Sequence, residues 1–204
     1  MTDPPPSIWD ERFAEQGWAF GTDPNDFLRS VTDRLPKGPT LCLGEGEGRN
    51  AVWLASQGFD VTAVDSSRVG LDKAEALAKE RGVRLATVLA DLEGFAIEPG
   101  AWSAIVSIWV HVPPSLRVKL HRRCVAGLAP GGMFALEAYT PSQVEHATGG
   151  PSDPLKLMSL ALLRIELAGL EFEIGRELER EVNEGRYHHG RSAVVQVLAR
   201  KPAG

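Results

Sequence analysis

Apolar positions recur along this chain in two rhythms. Near the start the spacing is helical. Ile8, Trp9, Phe13 and Ala14 fall on one face of a helix predicted over 7–17, and a second helix is expected over 26–35 before Pro36-Lys37-Gly38-Pro39 ends it. Between them, 18–25 reads as a loop with Gly21, Pro24 and Asn25. From Thr40 short apolar runs alternate with helices. Thr40-Leu41-Cys42-Leu43 is a strand that runs into a glycine-rich turn, and 50–57 is helical with Gly58 as its stop. Asp60-Val61-Thr62-Ala63-Val64 is a β-branched strand ending at Asp65, and Ser66 or Ser67 caps a helix through Arg81. A third strand is expected over 84–89. A fourth, over 102–109, is apolar at nearly every position, as burial on both faces requires. Ser115 is the expected cap of a helix to Leu128. Pro130-Gly131-Gly132 breaks it before a fifth strand over 133–139.

The end of the chain is different. A helix is expected over 155–168, then two strands over 171–182 and 192–201 joined by a loop at 183–191. A connection that short pairs strands antiparallel, since a parallel crossover needs about a dozen residues. The pattern therefore predicts an α/β fold. It is a Rossmann-like, mostly parallel seven-stranded sheet with an antiparallel C-terminal hairpin and helices on both faces.

Composition narrows the function. The chain has 204 residues, 43% apolar and 24% charged, which suits one globular domain. Lys and Arg number 22 against 27 Asp and Glu, a net charge of -5, so nucleic acid is not the expected partner. The opening Met1-Thr2-Asp3-Pro4-Pro5-Pro6 has no basic region or apolar stretch of a targeting signal. The most apolar run, 104–112, is far short of the ~20 residues that span a bilayer. Two cysteines without paired spacing, Cys42 and Cys124, exclude a disulfide framework and a Cys-based zinc site. A soluble, cytoplasmic protein without a metal is the expectation.

The informative stretch is Leu41-Cys42-Leu43-Gly44-Glu45-Gly46-Glu47-Gly48-Arg49-Asn50. A glycine-rich turn between strand and helix lets a ligand approach the backbone, and open α/β sheets bind ligands beyond the carboxyl ends of their strands. Asp65, 21 residues after Gly44, is placed to accept hydrogen bonds from ribose hydroxyls. The dinucleotide fingerprint G-x-G-x-x-G fails from Gly44, where Arg49 takes the sixth position, and survives only in degenerate form from Gly46. G-x-G-x-G, with Gly44, Gly46 and Gly48, fits better. Asp91 closes the third strand. Alone it reads as a helix cap; third in this order, it suits an adenine amine.

Residues 40–139, with these motifs in this order and the approach Leu-Ala-Pro-Gly-Gly-Met at 128–133, resemble the class I S-adenosylmethionine-dependent methyltransferases. The segments Trp9-Asp10-Glu11-Arg12-Phe13 and Pro24-Asn25-Asp26-Phe27-Leu28 resemble the bacterial tellurite-resistance-type and thiopurine-methyltransferase-like enzymes. The resemblance implies S-adenosylmethionine as cofactor, held by Gly44, Glu45, Gly46, Gly48, Asn50, Asp65, Ser66, Asp91, Leu92 and Ile108. It implies one domain with an N-terminal helical lid (1–39), a cofactor core (40–139) and a C-terminal helix and hairpin (140–204), acting as a monomer or homodimer on a small molecule. Cys42 stands where the family usually carries an acid, and Glu45 is the candidate to replace it at the methionine ammonium. An NAD(P)-dependent oxidoreductase and a non-catalytic S-adenosylmethionine binder remain the alternatives.

Methyl transfer depends on proximity and alignment, and a soft nucleophile such as a thiol or a selenium or tellurium oxyanion needs little beyond desolvation. A hydroxyl or amine acceptor needs a base. His111, after the fourth strand, is one candidate, against a histidine satisfied by backbone. Tyr187 and His188, in the cluster Arg186-Tyr187-His188-His189-Gly190-Arg191, are the others, against a plain solvated loop. His188 and His189 point to opposite sides if extended and do not form a metal pair.

Overall fold

A computed structural model describes residues 7–146 and 148–203, so the opening proline-rich hexapeptide lies outside the described residues. Thirteen regular elements follow in order: α1 (Ile8–Ala14), α2 (Asp26–Val31), β1 (Pro39–Leu43), α3 (Arg49–Ser56), β2 (Asp60–Asp65), α4 (Arg68–Glu80), β3 (Ala86–Leu89), β4 (Trp102–Ile108), α5 (Pro114–Gly127), β5 (Leu128–Tyr139), α6 (Leu160–Glu166), β6 (Glu171–Glu184) and β7 (His188–Arg200). Among the described residues three short 3-10 turns join some of them. The strands make one seven-stranded sheet in the order β3-β2-β1-β4-β5-β7-β6. β1 to β5 run parallel, and β7 lies antiparallel to both β5 and β6.

The near-continuous apolar strands follow from burial on both faces. Along β1, Leu41 and Leu43 enter the core under α5 and α6, whereas Cys42 enters the core under α2 and α3. β5 repeats the alternation, with Phe134 and Leu136 on the first face and Met133 and Ala135 on the second. On the α5–α6 side the Glu166 carboxylate is buried, taking two bonds of 3.1 Å from Arg117 Nε and pairing with His121 Nδ1 at 2.7 Å.

Several boundaries differ from the sequence pattern for local reasons. α5 begins at Pro114 with Pro113 in the cap position, because proline suits the first helical turn, so Ser115 is not the cap. The helix expected over 155–168 is a 3-10 turn, Pro154–Lys156, and then α6, capped by Ser159. β5 starts five residues early and absorbs Pro130-Gly131-Gly132 next to a register shift opposite Trp102 and Ala104. The largest difference is at the C-terminal hairpin. The expected loop at 183–191 is mostly strand, with Glu184 paired to His188 across Gly185-Arg186-Tyr187. Gly185 turns the chain at φ +69 and presses so closely on Ala19 and Phe20 that a Cβ there would lie 2.5 Å from their backbone.

Candidate active site

Strand order reverses between β1 and β4, and the carboxyl ends of such strands are where open α/β sheets place their ligand crevice. The loop after β1 carries Gly44, Gly46 and Gly48 at φ +56, +59 and +88, which explains the residue type at all three. Their surroundings differ. A Cβ on Gly46 would meet the Phe13 ring of α1 at 2.7 Å, and one on Gly48 would meet Ala74 of α4 at 2.5 Å. Only Gly44, bordered by Val110, is exposed. Of the three, Gly44 is the one open to close approach from outside, while Gly46 and Gly48 admit protein packing.

Two carboxylates stitch this end together. Glu45 Oε1 accepts the backbone N–H groups of Asn50 and Ala51 at 2.9 and 2.8 Å, capping α3 where Gly48 has no side chain to do so. Burial pushes Glu45 up to about 7, against the pull of those amides and Arg49. Cys42 is fully buried beneath, and burial reinforced by the Glu45 charge holds its thiol protonated. Asp65 accepts from Gly46 N and Ser67 N, both at 2.8 Å. Burial raises its pKa in spite of those bonds. A carboxylate has about four lone-pair sites, so two amides leave acceptor capacity on Asp65.

Next to Asp65 lies an open rim. Leu89 is 47% exposed, Ser66 and Asp91 are exposed, and Leu92 is half-buried. One Asp91 oxygen accepts Glu93 N at 2.7 Å. An apolar shelf flanked by carboxylates at strand ends suits a nucleoside. Two predicted contacts are turned elsewhere. The Ile108 side chain is buried in the core with Val106 and Leu54, and Asn50 Oδ1 accepts Asn25 N at 2.9 Å.

Beyond β4 and β5 the crevice is aromatic. Trp109, the first residue after β4, holds φ +59, a rare conformation for a side chain of that size. Its amide bonds Glu137 O at 2.9 Å and its indole Nε1 donates to Glu184 Oε2 at 2.5 Å. Trp109 stacks on Tyr139 at 4.4 Å, and His188 packs edge-on against both. His111 has a structural part here: Nδ1 contacts Trp109 O at 3.1 Å and Nε2 accepts Tyr139 N–H at 3.0 Å. Burial brings its pKa down to about 4. With both nitrogens taken, His111 is a neutral brace rather than a free base.

Behind this wall sits an ion network for which the sequence offered one signal, a glutamate inside the apolar run of β5. Glu137 is 0% exposed and binds Arg180 Nη2 at 2.6 Å, Asn25 Nδ2 at 2.5 Å and Gln196 Nε2 at 2.6 Å. Glu184 joins Arg49 at 2.5 Å and Asn25 at 2.8 Å. Asn25 thereby fastens the N-terminal segment to the sheet.

That segment lies over the carboxyl ends of β1 and β2, with Phe13 against Gly46. Asp10 accepts from Ser67 Oγ at 2.5 Å, Lys73 reaches Gly17 O at 2.7 Å and Glu47 at 2.8 Å, and Glu47 in turn accepts Ala19 N. The hairpin turn meets this segment. Tyr187 donates to Glu15 at 2.6 Å with Arg12 over its ring, and Arg186 pairs with Glu15 at 3.0 Å. The Tyr187 hydroxyl is therefore occupied by that segment. His189 is exposed on the far side, bonded to Asn183, and Arg191 pairs with Glu179. Among the described residues no group of three or more His, Cys, Asp or Glu is placed to hold a metal, and no helix is long and apolar enough to cross a membrane.

Residues 40–132 match the family model described as a methyltransferase domain. No curated protein matches the sequence. Among solved structures, the chain is similar to a protein described under conversion of a disulfide bond into a thioacetal group during echinomycin biosynthesis. The TM-score is 0.75 and the identity 17%, covering 97% of this chain and 92% of the other. TehB from Haemophilus influenzae follows at TM-score 0.71 and 20% identity, over 86% of this chain and 61% of TehB. A SAM-dependent methyltransferase from Methanosarcina mazei matches at 0.70 and 16%, over 89% and 100%. These likenesses carry the fold, and the family model carries the domain assignment. Residues 40–132 thus match a methyltransferase domain, and the chain as a whole has the fold of the S-adenosylmethionine-dependent methyltransferases among those structures.

Proposed function

We propose that the methyl acceptor is a small, soft nucleophile, such as a thiolate or a selenium or tellurium oxyanion. The observation that carries this reading is that the titratable groups described at the aromatic end are poor bases near neutrality. His111 has both nitrogens engaged, and burial brings His188 down to about 3 and raises the Tyr139 phenol. Such a site supports alignment and desolvation and offers little to a nucleophile that must first lose a proton near neutrality. S-adenosylmethionine supplies an electrophilic methyl group on a sulfonium. The sulfur chemistry in the description of the echinomycin protein agrees in kind.

In this reading Gly44 and the open oxygen of Glu45 hold the methionine end, Asp65 the ribose, and Leu89, Asp91 and Leu92 the adenine. Glu45 lies near enough to the Cys42 thiol to act on it electrostatically, so its charge stands over the position where the family usually places its acid. The docked N-terminal segment acts as the lid that excludes water. The test is a methyl-acceptor panel of thiols, selenite, tellurite, thiopurines, phenols and amines, read by mass spectrometry of products. Preferential methylation of the soft acceptors is expected. Turnover of phenols or amines with the soft acceptors untouched overturns the reading.

A further inference from the structure

The aromatic end leaves two buried polar atoms without partners. Among the described residues neither Tyr139 Oη nor His188 Nδ1 has a hydrogen bond, although Tyr139 is 0% and His188 8% exposed. Ser192 approaches the phenol closely enough to lower its pKa against burial, though outside good hydrogen-bond geometry, and gives its own hydroxyl to Gly190 O at 3.1 Å and meets Thr148 Oγ1 at 3.0 Å. Unmet buried polar groups are destabilising, and two in one ring pair ask for a reason. The rings meet edge to face at 5.4 Å, walled by Trp109 and by Phe20, which lies 4.7 Å from the imidazole.

The cover over this pair is glycine. A Cβ on Gly149 would lie 2.7 Å from Tyr139 Oη and 3.1 Å from His188 Cδ2, and one on Gly150 would lie 2.8 Å from Tyr139 Cδ2. On the outer side of the two glycines is a cavity of about 350 Å³ bordered by Gln143, Val144, Pro151 and Leu157. Only a thin backbone layer separates that space from the phenol.

We propose that Tyr139 and His188 are the hydrogen-bonding pair for the methyl acceptor, reached by a small oxyanion when the Gly149-Gly150 cover moves aside. The inference rests on the soft-acceptor reading and adds the atoms that grip the acceptor. Burial keeps the phenol protonated, so it offers a donor, and a neutral imidazole can present Nδ1–H. Two hydrogen-bond donors side by side match the acceptor oxygens of an oxyanion and have nothing to offer an ammonium group, which only donates.

The experiment is thermal melting of the full chain with S-adenosylhomocysteine, with and without selenite as the probe, in wild type, Tyr139→Phe and His188→Leu. Removing an unpartnered buried hydroxyl should raise the melting temperature of Tyr139→Phe by about 2 °C. Selenite should raise that of wild type and fail to protect either variant. A lower melting temperature for Tyr139→Phe would show that the hydroxyl has a structural partner, and equal protection of all three proteins, or of none, likewise overturns the proposal. Protection confined to wild type, with no soft acceptor methylated in the panel, would uphold the anion site and sink the acceptor reading alone.

Discussion

The two ends of the crevice treat their polar groups in opposite ways. At the end formed by β1, β2 and β3, Glu45 and Asp65 are each bonded to two backbone amides and shape the loop that holds them. At the end formed by β4, β5 and the hairpin, the wall is aromatic, and two side-chain atoms are buried without partners among the described residues. The first arrangement is preorganised, with its acceptor positions set before any ligand arrives. The second resembles a closed hand, with ring faces in contact and a glycine cover. The contrast teaches that one sheet can present a rigid half-site and an adaptable one, divided at Trp109 and Val110.

The largest effect should come from the network that supports the adaptable end. Glu137→Ala leaves Arg180 short of its bidentate partner inside the protein and should cost about 3–5 kcal/mol of stability in urea unfolding. A loss below about 1 kcal/mol would mean the aromatic wall does not depend on that frame. Next comes Asp65→Ala, which should weaken S-adenosylmethionine binding by about 2–4 kcal/mol by calorimetry, with Asp91→Ala doing less. Unchanged affinity in a folded Asp65 variant would take the ribose role from the rigid end.

Glu45 gives a subtler reading. Its folded pKa of about 7 stands above the ordinary value of 4.5, so the folded chain holds more proton than the unfolded chain between them. This contribution to stability is fully present below about pH 4.5 and is lost as pH rises through about 7. Glu45→Gln should flatten the stability profile over that window relative to wild type. Matching slopes would show the carboxylate already charged there. The smallest effect is a predicted flatness: with His111 near 4 and His188 near 3, kcat should show no histidine limb between about pH 6 and 8. An inflection near 6.5 that vanishes in His111→Gln would restore His111 as a base.

Much of the rigid end was legible in the residues, because it is local. A strand, a turn needing three left-handed glycines and an acid at the next strand end are all written within a few dozen positions, and neighbouring parallel strands bring Asp65 to Gly46. The adaptable end was legible only in fragments. His188 and Tyr187 stood out by composition, yet the sequence pattern made a long loop of what is a three-residue turn. It could not show that the Tyr187 hydroxyl is occupied by Glu15, 172 positions away.

Alternating apolar runs, turn glycines and caps determined by themselves a doubly covered parallel sheet with an antiparallel C-terminal pair. Those signals arise from backbone sterics and side-chain periodicity, which act over a few residues. Only the tertiary structure decided which polar groups are spent on the fold and which are left over. Asn25 meets Glu137 and Glu184 across more than a hundred positions, and Gly149 closes on Tyr139 and His188 from a separate loop. Whether a buried histidine is a brace, like His111, or an open partner, like His188, depends on what lies within hydrogen-bond reach, and that is set by packing between distant segments.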